Sequence, residues 1–155
     1  MQTDDPYLWL EDVTGEQALD WVRRHNEPTV AELTGAPRFA DLEAGALEVL
    51  DTEEKIPYPR RRGDHLYNFW RDAQHPKGLW RRTTLAQYRQ DAPQWEVLID
   101  VDALAAAEDE NWVWSGVSML YPDYRRALIS LSRGGADAVV VREYDVEAGA
   151  WVDPA

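Results

Sequence analysis

The sequence predicts an α+β fold in which N-terminal helices are followed by antiparallel β-propeller blades, the start of an incomplete propeller. Three observations predict it. Apolar side chains recur at helical spacing before residue 60 and alternate with a period of two after it. Candidate strands cluster in two sets, which begin near residues 65 and 112. A spacing of about 45 residues, with three or four short strands in each set, is typical of propeller blades.

Two helices are expected in the first sixty residues. Thr14-Gly15-Glu16-Gln17 reads as a capping box, in which Thr14 and Gln17 satisfy each other's backbone at the start of a helix. Pro28 is expected to kink or interrupt this helix, because proline lacks the N–H that the helix interior needs. A Gly-Ala-Pro break at 35–37 precedes a second helix from about Arg38.

Strands are expected from residue 65 onward, joined as antiparallel hairpins. The candidate strands are 65–72, 79–88, 95–100, 112–119, 127–132, 138–145 and 150–152. Aromatic and β-branched residues dominate these segments, and Gly, Pro and Asp mark the turns between them. The Ala-rich segment 103–110 favours a short helical turn. The prolines of 56–59 and the charged run 60–64 that follows them read as a linker into a new element. This suggests two domains, an N-terminal helical segment at 1–62 and the start of the propeller at 63–155.

Composition excludes several classes of site. The chain contains no cysteine, which excludes a disulfide scaffold, a thiolate zinc site, an iron–sulfur cluster and a cysteine nucleophile. No apolar run approaches the roughly 20 residues that span a bilayer. The polar, acidic start of the chain does not resemble a signal peptide. A cytoplasmic location without membrane attachment is therefore expected.

Charge is unevenly distributed along the chain. The net charge is −13, yet more than half of the basic residues fall within 55–89, between two acidic segments. The block from Arg60 to Arg82 interleaves cations with aromatic rings, a pattern that binds single-stranded nucleic acid. One interpretation is a stand-alone β-rich binding module that uses this block. The other is that the aromatic rings form a core and the arginines pair with acidic neighbours, which the strongly acidic flanks favour.

Serine-based catalysis lacks its motif in this sequence. A nucleophile elbow requires Gly-x-Ser-x-Gly, and the nearest segment, around Ser115, lacks the first glycine. The histidines are His25, His65 and His75, and no serine is placed to pair with any of them. We therefore predict no catalytic residue in this chain.

Metal and phosphate sites are also not expected. Asp100-x-Asp102 begins like a calcium loop, but Ala105 stands where that loop requires glycine. The acidic trio at 108–110 is typical of a solvated turn. The glycine-rich turn at 133–135 lacks the Gly-Lys-Ser that cradles phosphate. The sequence thus predicts no metal-binding and no cofactor-binding residue, and no cofactor.

Several segments resemble the prolyl oligopeptidases, serine peptidases that cleave short peptides after proline. The most specific is the opening octet Asp5-Pro6-Tyr7-Leu8-Trp9-Leu10-Glu11-Asp12. The similarity continues through Tyr67–Asp72, His75–Thr84 and Tyr124–Asp137, and covers nearly the whole chain. Members of this family have an N-terminal helical segment, a seven-bladed β-propeller and an α/β-hydrolase domain that holds the catalytic serine, aspartate and histidine.

The resemblance implies that this chain is the N-terminal fragment of such a peptidase and is inactive alone. Its implied role is structural: the helices dock on the hydrolase domain, and the blades begin the propeller that limits substrate size. The implied partners are the hydrolase domain, the remaining blades and, in the parent enzyme, a peptide substrate. Neither nucleic acid nor a membrane is an implied partner.

Overall fold

The computed structural model describes residues 5–152 of the 155-residue chain. The chain divides into two compact units, Met1–Val49 and Leu50–Ala155. The first is helical, and the second is built around two antiparallel sheets. Within the described residues, no helix is both long and apolar enough to cross a membrane.

The helical unit differs from its prediction at two points. It comprises a 3-10 turn at Leu8–Glu11, helix α1 at Glu16–Thr34 and helix α2 at Phe39–Asp51, which ends just inside the second unit. The predicted capping box is wrong: Gly15 is the N-cap of α1 and makes no side-chain cap, while the Thr14 hydroxyl donates to Asp12. The predicted interruption at Pro28 is wrong as well, because α1 continues through it. Proline removes a single N–H, and the flanking turns remain hydrogen-bonded.

The helical unit buries little of its apolar surface. Ala18 is the only buried residue of α1, and α2 has none. The exposed large apolar residues of the two helices in this unit are Leu19, Val22, Val30, Leu33, Leu42, Leu47 and Val49. The apolar residues that predicted these helices therefore remain largely at the surface.

The second unit contains two four-stranded sheets, each antiparallel and each connected in sequential order. Sheet A comprises β1 Arg60–Arg62, β2 His65–Trp70, β3 Leu79–Thr84 and β4 Glu96–Asp100. Sheet B comprises β5 Trp112–Met119, β6 Arg126–Arg133, β7 Val139–Asp145 and β8 Ala150–Trp151. The second set begins at Trp112, as the sequence predicted, whereas the first begins at Arg60 rather than near residue 65. Four-stranded antiparallel meanders of this kind are typical of propeller blades.

Two local features depart from the predicted strands, and a predicted helical turn is present. The segment 79–88 is not one strand: β3 ends at Thr84, whose hydroxyl accepts from the Gln87 N–H and caps helix α3, Leu85–Tyr88. Arg60–Arg62 form a strand rather than a linker, since they pair with β2 across a tight turn in which Gly63 has a φ of +57°. The predicted helical turn is helix α4, Val101–Glu108, which Asp100 caps.

An aromatic core lies between the two sheets. Trp80 is only 2% exposed, and its ring lies 5.7 Å from Tyr67 and 6.0 Å from both Trp114 and Tyr144. The Tyr144 hydroxyl of sheet B donates a 2.6 Å hydrogen bond to the Leu98 carbonyl of sheet A. The sheets are thus joined by ring packing and by a directional polar contact, the usual requirement for a buried tyrosine.

Candidate functional site

A cavity of about 690 Å³ opens between the first strands of the two sheets. Its walls come from β1 and the tyrosine before it on one side, and from β5 on the other. Tyr67, Phe69 and Trp80 lie beneath it and connect it to the aromatic core. Pockets of this size, with an aromatic floor and a few polar groups, are typical of sites that bind small molecules or peptide segments.

Strand register decides which arginines of β1 face this cavity. Arg60 pairs with Tyr67, and Tyr67 pairs with Arg82, so these three residues share one face of sheet A. That face points toward sheet B, because the Arg82 guanidinium donates to the Val146 carbonyl. Arg62 follows Arg60 by two positions and shares the face, whereas Arg61 lies on the opposite one. Arg60 and Arg62 accordingly line the cavity, and Arg61 does not.

The arginines of β1 belong to the eight arginines of residues 5–152 that form no ion pair with a carboxylate. Within residues 5–152, Arg60, Arg61 and Arg62 form no ion pair with a carboxylate. Arg61 donates to the Gly63 carbonyl, and Arg62 donates to the Arg61 carbonyl. The arginines that do pair with carboxylates are Arg23, Arg82, Arg125, Arg126, Arg133 and Arg142. The expectation that the basic block is neutralised by acidic neighbours is therefore wrong for β1.

The aromatic rings of the basic block are core residues rather than a stacking platform. Tyr67 and Trp80 are 7% and 2% exposed, and Phe69 stacks on Trp114 at 4.8 Å. Bases bind to such rings only when the ring faces are free. The nucleic-acid alternative for 60–82 is therefore not supported.

On the far side of sheet A, Arg81 is enclosed by aromatic rings. Its guanidinium lies 4.4 Å from the ring centres of both Trp70 and Trp95, and its Nε donates to Asn68 at 2.8 Å. Burial lowers the pKa of Arg81 to about 10, although the nearby Asp72 carboxylate opposes that shift. Because its guanidinium packs against both tryptophan rings, Arg81 is a structural cation that fastens two tryptophans to the sheet.

Asp72 organises the turn between β2 and β3. Its carboxylate accepts from Trp70 Nε1 at 2.9 Å, from the backbone of Gln74 and His75, and lies 3.0 Å from His75 Nδ1. Burial raises the pKa of Asp72, but these hydrogen bonds together hold it below its ordinary value. The Asp–His pair therefore serves turn formation, and no serine hydroxyl of residues 5–152 hydrogen-bonds to His75.

The remaining residues considered for catalysis lie apart from one another. Ser115 is the extra residue of a β-bulge in β5, exposed at the wall of the cavity. His25 stacks on Trp21 with its Nδ1 at 2.7 Å from the Trp21 carbonyl, and His65 lies edge-on to Tyr67. The described part of the chain brings no serine, histidine and carboxylate together.

The acidic residues considered for metal binding hold backbone or arginine groups. Asp100 caps α4 at the Ala103 N–H, and Asp102 accepts from the Lys77 and Gly78 amides. Glu108 accepts from Trp112 Nε1 and from Arg142. Among residues 5–152 there is no group of three His, Asp or Glu side chains placed to hold a metal ion.

Comparison with known proteins gives the family. Residues 1–154 match the family model described as prolyl oligopeptidase, N-terminal beta-propeller domain. The chain belongs to the prolyl oligopeptidase family. Its helical start and two antiparallel blades correspond to the N-terminal propeller region of these peptidases.

Relatives and solved structures agree with this assignment. The chain is 44% identical to an uncharacterized peptidase, y4nA, of Sinorhizobium fredii over 96% of its own length. It is 28% identical over 98% of its length to a prolyl endopeptidase of Elizabethkingia miricola. A post-proline cleaving enzyme from Rickettsia typhi superposes with a TM-score of 0.85 at 35% identity, over 94% of this chain and 21% of that one. The chain spans about a fifth of the length of the curated relatives it matches.

The cavity itself was missed by sequence reasoning. The three consecutive arginines at 60–62 are evident in the sequence, but interpreted as a linker they have no predicted orientation toward either face of a sheet. The signal that could have found the site is the alternation on each side of Gly63, since a β-hairpin at that glycine places Arg60 and Arg62 beside Tyr67. The sequence does not predict that β5 forms the opposite wall of the cavity.

Proposed function

We propose that the protein containing this chain hydrolyses peptide bonds after proline, and that this chain begins the propeller that limits access to a hydrolase domain. The observation that carries the proposal is the match of two consecutive blades to the post-proline cleaving enzyme of Rickettsia typhi, at a TM-score of 0.85 and 35% identity. In this role the chain positions and restricts substrate, and acyl transfer by serine, histidine and aspartate takes place elsewhere in the protein.

Two apolar surfaces support a role in docking onto further parts of the protein. The first is the exposed apolar face of the helical unit, which includes Leu33, Leu42 and Leu47. The second is on sheet B, where Leu128 and Val141 lie on the face opposite the aromatic core and are about half exposed. Apolar surface of this extent is typical of a contact with another structural unit. We assign the helices to the hydrolase domain and the sheet face to the next blade.

The experiment is to express the complete open reading frame that encodes this chain, and to measure hydrolysis of chromogenic peptides. We expect cleavage of a reporter with proline before the scissile bond, and little cleavage of a matched alanine reporter. A serine-directed phosphonate should abolish the activity. The 155-residue chain alone serves as a control and should show no turnover, because it lacks a nucleophile elbow.

Two results would contradict the proposal. One is a full-length protein that cleaves the alanine reporter as fast as the proline reporter. The other is turnover by the purified 155-residue chain itself, which would place the catalytic groups within these residues.

We further infer a cytoplasmic location for this protein. The fold does not require an oxidising compartment, because no disulfide contributes to its stability. Fractionation of source cells, with an antibody against residues of the helical unit, tests this; recovery in an extracellular or membrane fraction would contradict it.

A further inference from the structure

We propose that the cavity between β1 and β5 binds the carboxylate of a peptide through Arg60 and Arg62. The inference rests on the proposed function in taking a peptide as the ligand, and it adds a preference for acidic or free C-terminal groups. The juxtaposition that carries it is a pair of arginines, without a carboxylate partner among the described residues, at the edge of an aromatic cavity of about 690 Å³.

The positive charges of Arg60 and Arg62 favour an anionic ligand. Six of the fourteen arginines of residues 5–152 form ion pairs with carboxylates. Within residues 5–152, neither Arg60 nor Arg62 does so, even though both lie in a folded strand. Arg62 is only partly exposed, and one of its terminal nitrogens is bound to a carbonyl. An incoming carboxylate would supply the charge-assisted hydrogen bonds that both guanidinium groups lack.

The shape of the cavity favours a peptide over a bare anion. Tyr58 stands 81% exposed at the rim beside Arg60, and the partly exposed rings of Phe69 and Trp114 lie below. A carboxylate on a peptide can reach the arginines while its neighbouring side chains cover these rings. Free phosphate would bind the arginines and leave the rings uncovered. Nucleic acid would in addition be repelled by a net charge of −13.

A simpler explanation for the arginines is protection of a sheet edge. β1 is an edge strand of sheet A, and charged residues on edge strands prevent pairing with other chains. That role requires charge on β1 but not on a particular face. Arg61 therefore provides a matched control, because it lies on the same strand and points away from the cavity.

The test is calorimetric titration of the chain with two peptides, N-acetyl-Gly-Pro-Phe with a free carboxylate and the same peptide as its amide. We expect the acid to bind about tenfold more tightly than the amide, the size of one well-formed charged hydrogen bond. Arg60→Gln combined with Arg62→Gln should remove that preference, whereas Arg61→Gln should preserve it within about twofold. The variant Arg60→Lys with Arg62→Lys should keep part of it, because lysine retains charge without the planar fork.

Circular dichroism of each variant checks that it is folded, and the acid–amide comparison on the unmodified chain does not depend on any variant. Equal affinity for acid and amide would overturn the inference. An equal loss of the preference for the acid peptide in the Arg61 control and in the double variant would also overturn it, because the preference would then depend only on net charge. Tighter binding of inorganic phosphate or of a short oligothymidylate than of the acid peptide would overturn the assignment to a peptide.

These results are separable from those for the proposed function, because binding is measured without turnover. A full-length protein that cleaves after proline while its cavity ignores the carboxylate would contradict only the inference. A cavity that selects the carboxylate in a protein without proline-dependent cleavage would contradict only the proposed function.

Discussion

The apolar side chains of the helical unit lie at its surface, whereas those of the two sheets pack against one another. Leu42 and Leu47 of α2 are more than half exposed, while Ile129 and Leu131 of β6 are completely buried. Both regions follow clear hydrophobic periodicity. The comparison shows that periodicity identifies the face an element will bury, but not whether its partner lies in the same stretch of chain. Substitutions in the two regions should therefore have very different effects on stability.

The largest effect is expected at the aromatic core. Replacing Trp80 with alanine removes a ring that contacts Tyr67, Trp114 and Tyr144, and should reduce the free energy of unfolding by about 3–5 kcal/mol. Urea denaturation followed by circular dichroism measures it. The matched change in the helical unit, Leu47→Ala, should cost less than about 0.5 kcal/mol, because Leu47 is 54% exposed. Equal losses at the two positions would contradict the comparison.

A smaller effect is expected at Gly78, in the turn that closes over the core. A Cβ there would lie 2.4 Å from Phe69 Cζ, and its φ of +106° already disfavours other residues. Gly135→Ala is the control: its φ is +83°, but nothing lies within 4 Å of the added carbon. We expect Gly78→Ala to exceed the control by at least about 1 kcal/mol, the cost of overpacking. If thermal unfolding shows the same loss of stability for both variants, the close approach to Phe69 adds nothing to the cost of the substitution.

The hydrogen bond between the sheets provides a finer test. Tyr144→Phe keeps the ring against Trp80 and Trp151 but leaves the Leu98 carbonyl without its donor. A loss of about 1–2 kcal/mol is expected for an unpaired buried acceptor. Tyr121→Phe is the control, since Tyr121 is 75% exposed and its hydroxyl has no partner within residues 5–152. A loss no greater than that of the control would mean that ring packing alone joins the sheets.

The smallest effect is expected on the stability of the fold at acidic pH. Hydrogen bonds from Arg82 lower the pKa of Glu96, and those from Arg142 and Trp112 lower the pKa of Glu108 despite its burial. The folded state then binds fewer protons than the unfolded state. Its stability is complete above the ordinary glutamate pKa of 4.5 and declines as pH falls below it.

The variant Glu96→Gln should flatten this decline in unfolding curves recorded between neutral pH and about pH 3. The control is Glu48→Gln on α2, whose side chain forms no ion pair among the described residues. An unchanged slope in the Glu96 variant would assign the acid sensitivity to other carboxylates.

Several features of this protein follow from local sequence. Period-two alternation from His65 onward determined the strand sets, since a strand must present one face to a core wherever that core lies. The paired prolines at 57 and 59 marked the end of the helical region. The family resemblance was carried by contiguous motifs such as the opening octet. The absence of a Gly-x-Ser-x-Gly motif is likewise a property of the sequence alone.

Other features depended on contacts between distant residues. Arg81 is structural because Trp70 and Trp95 meet across the sheet, and Arg60 faces a cavity because β5 forms its other wall. The sequence determined which residues alternate between the two faces of each strand. Tertiary structure decided which of the arginines became buried, paired or open, because desolvation and ion pairing depend on neighbours tens of residues away.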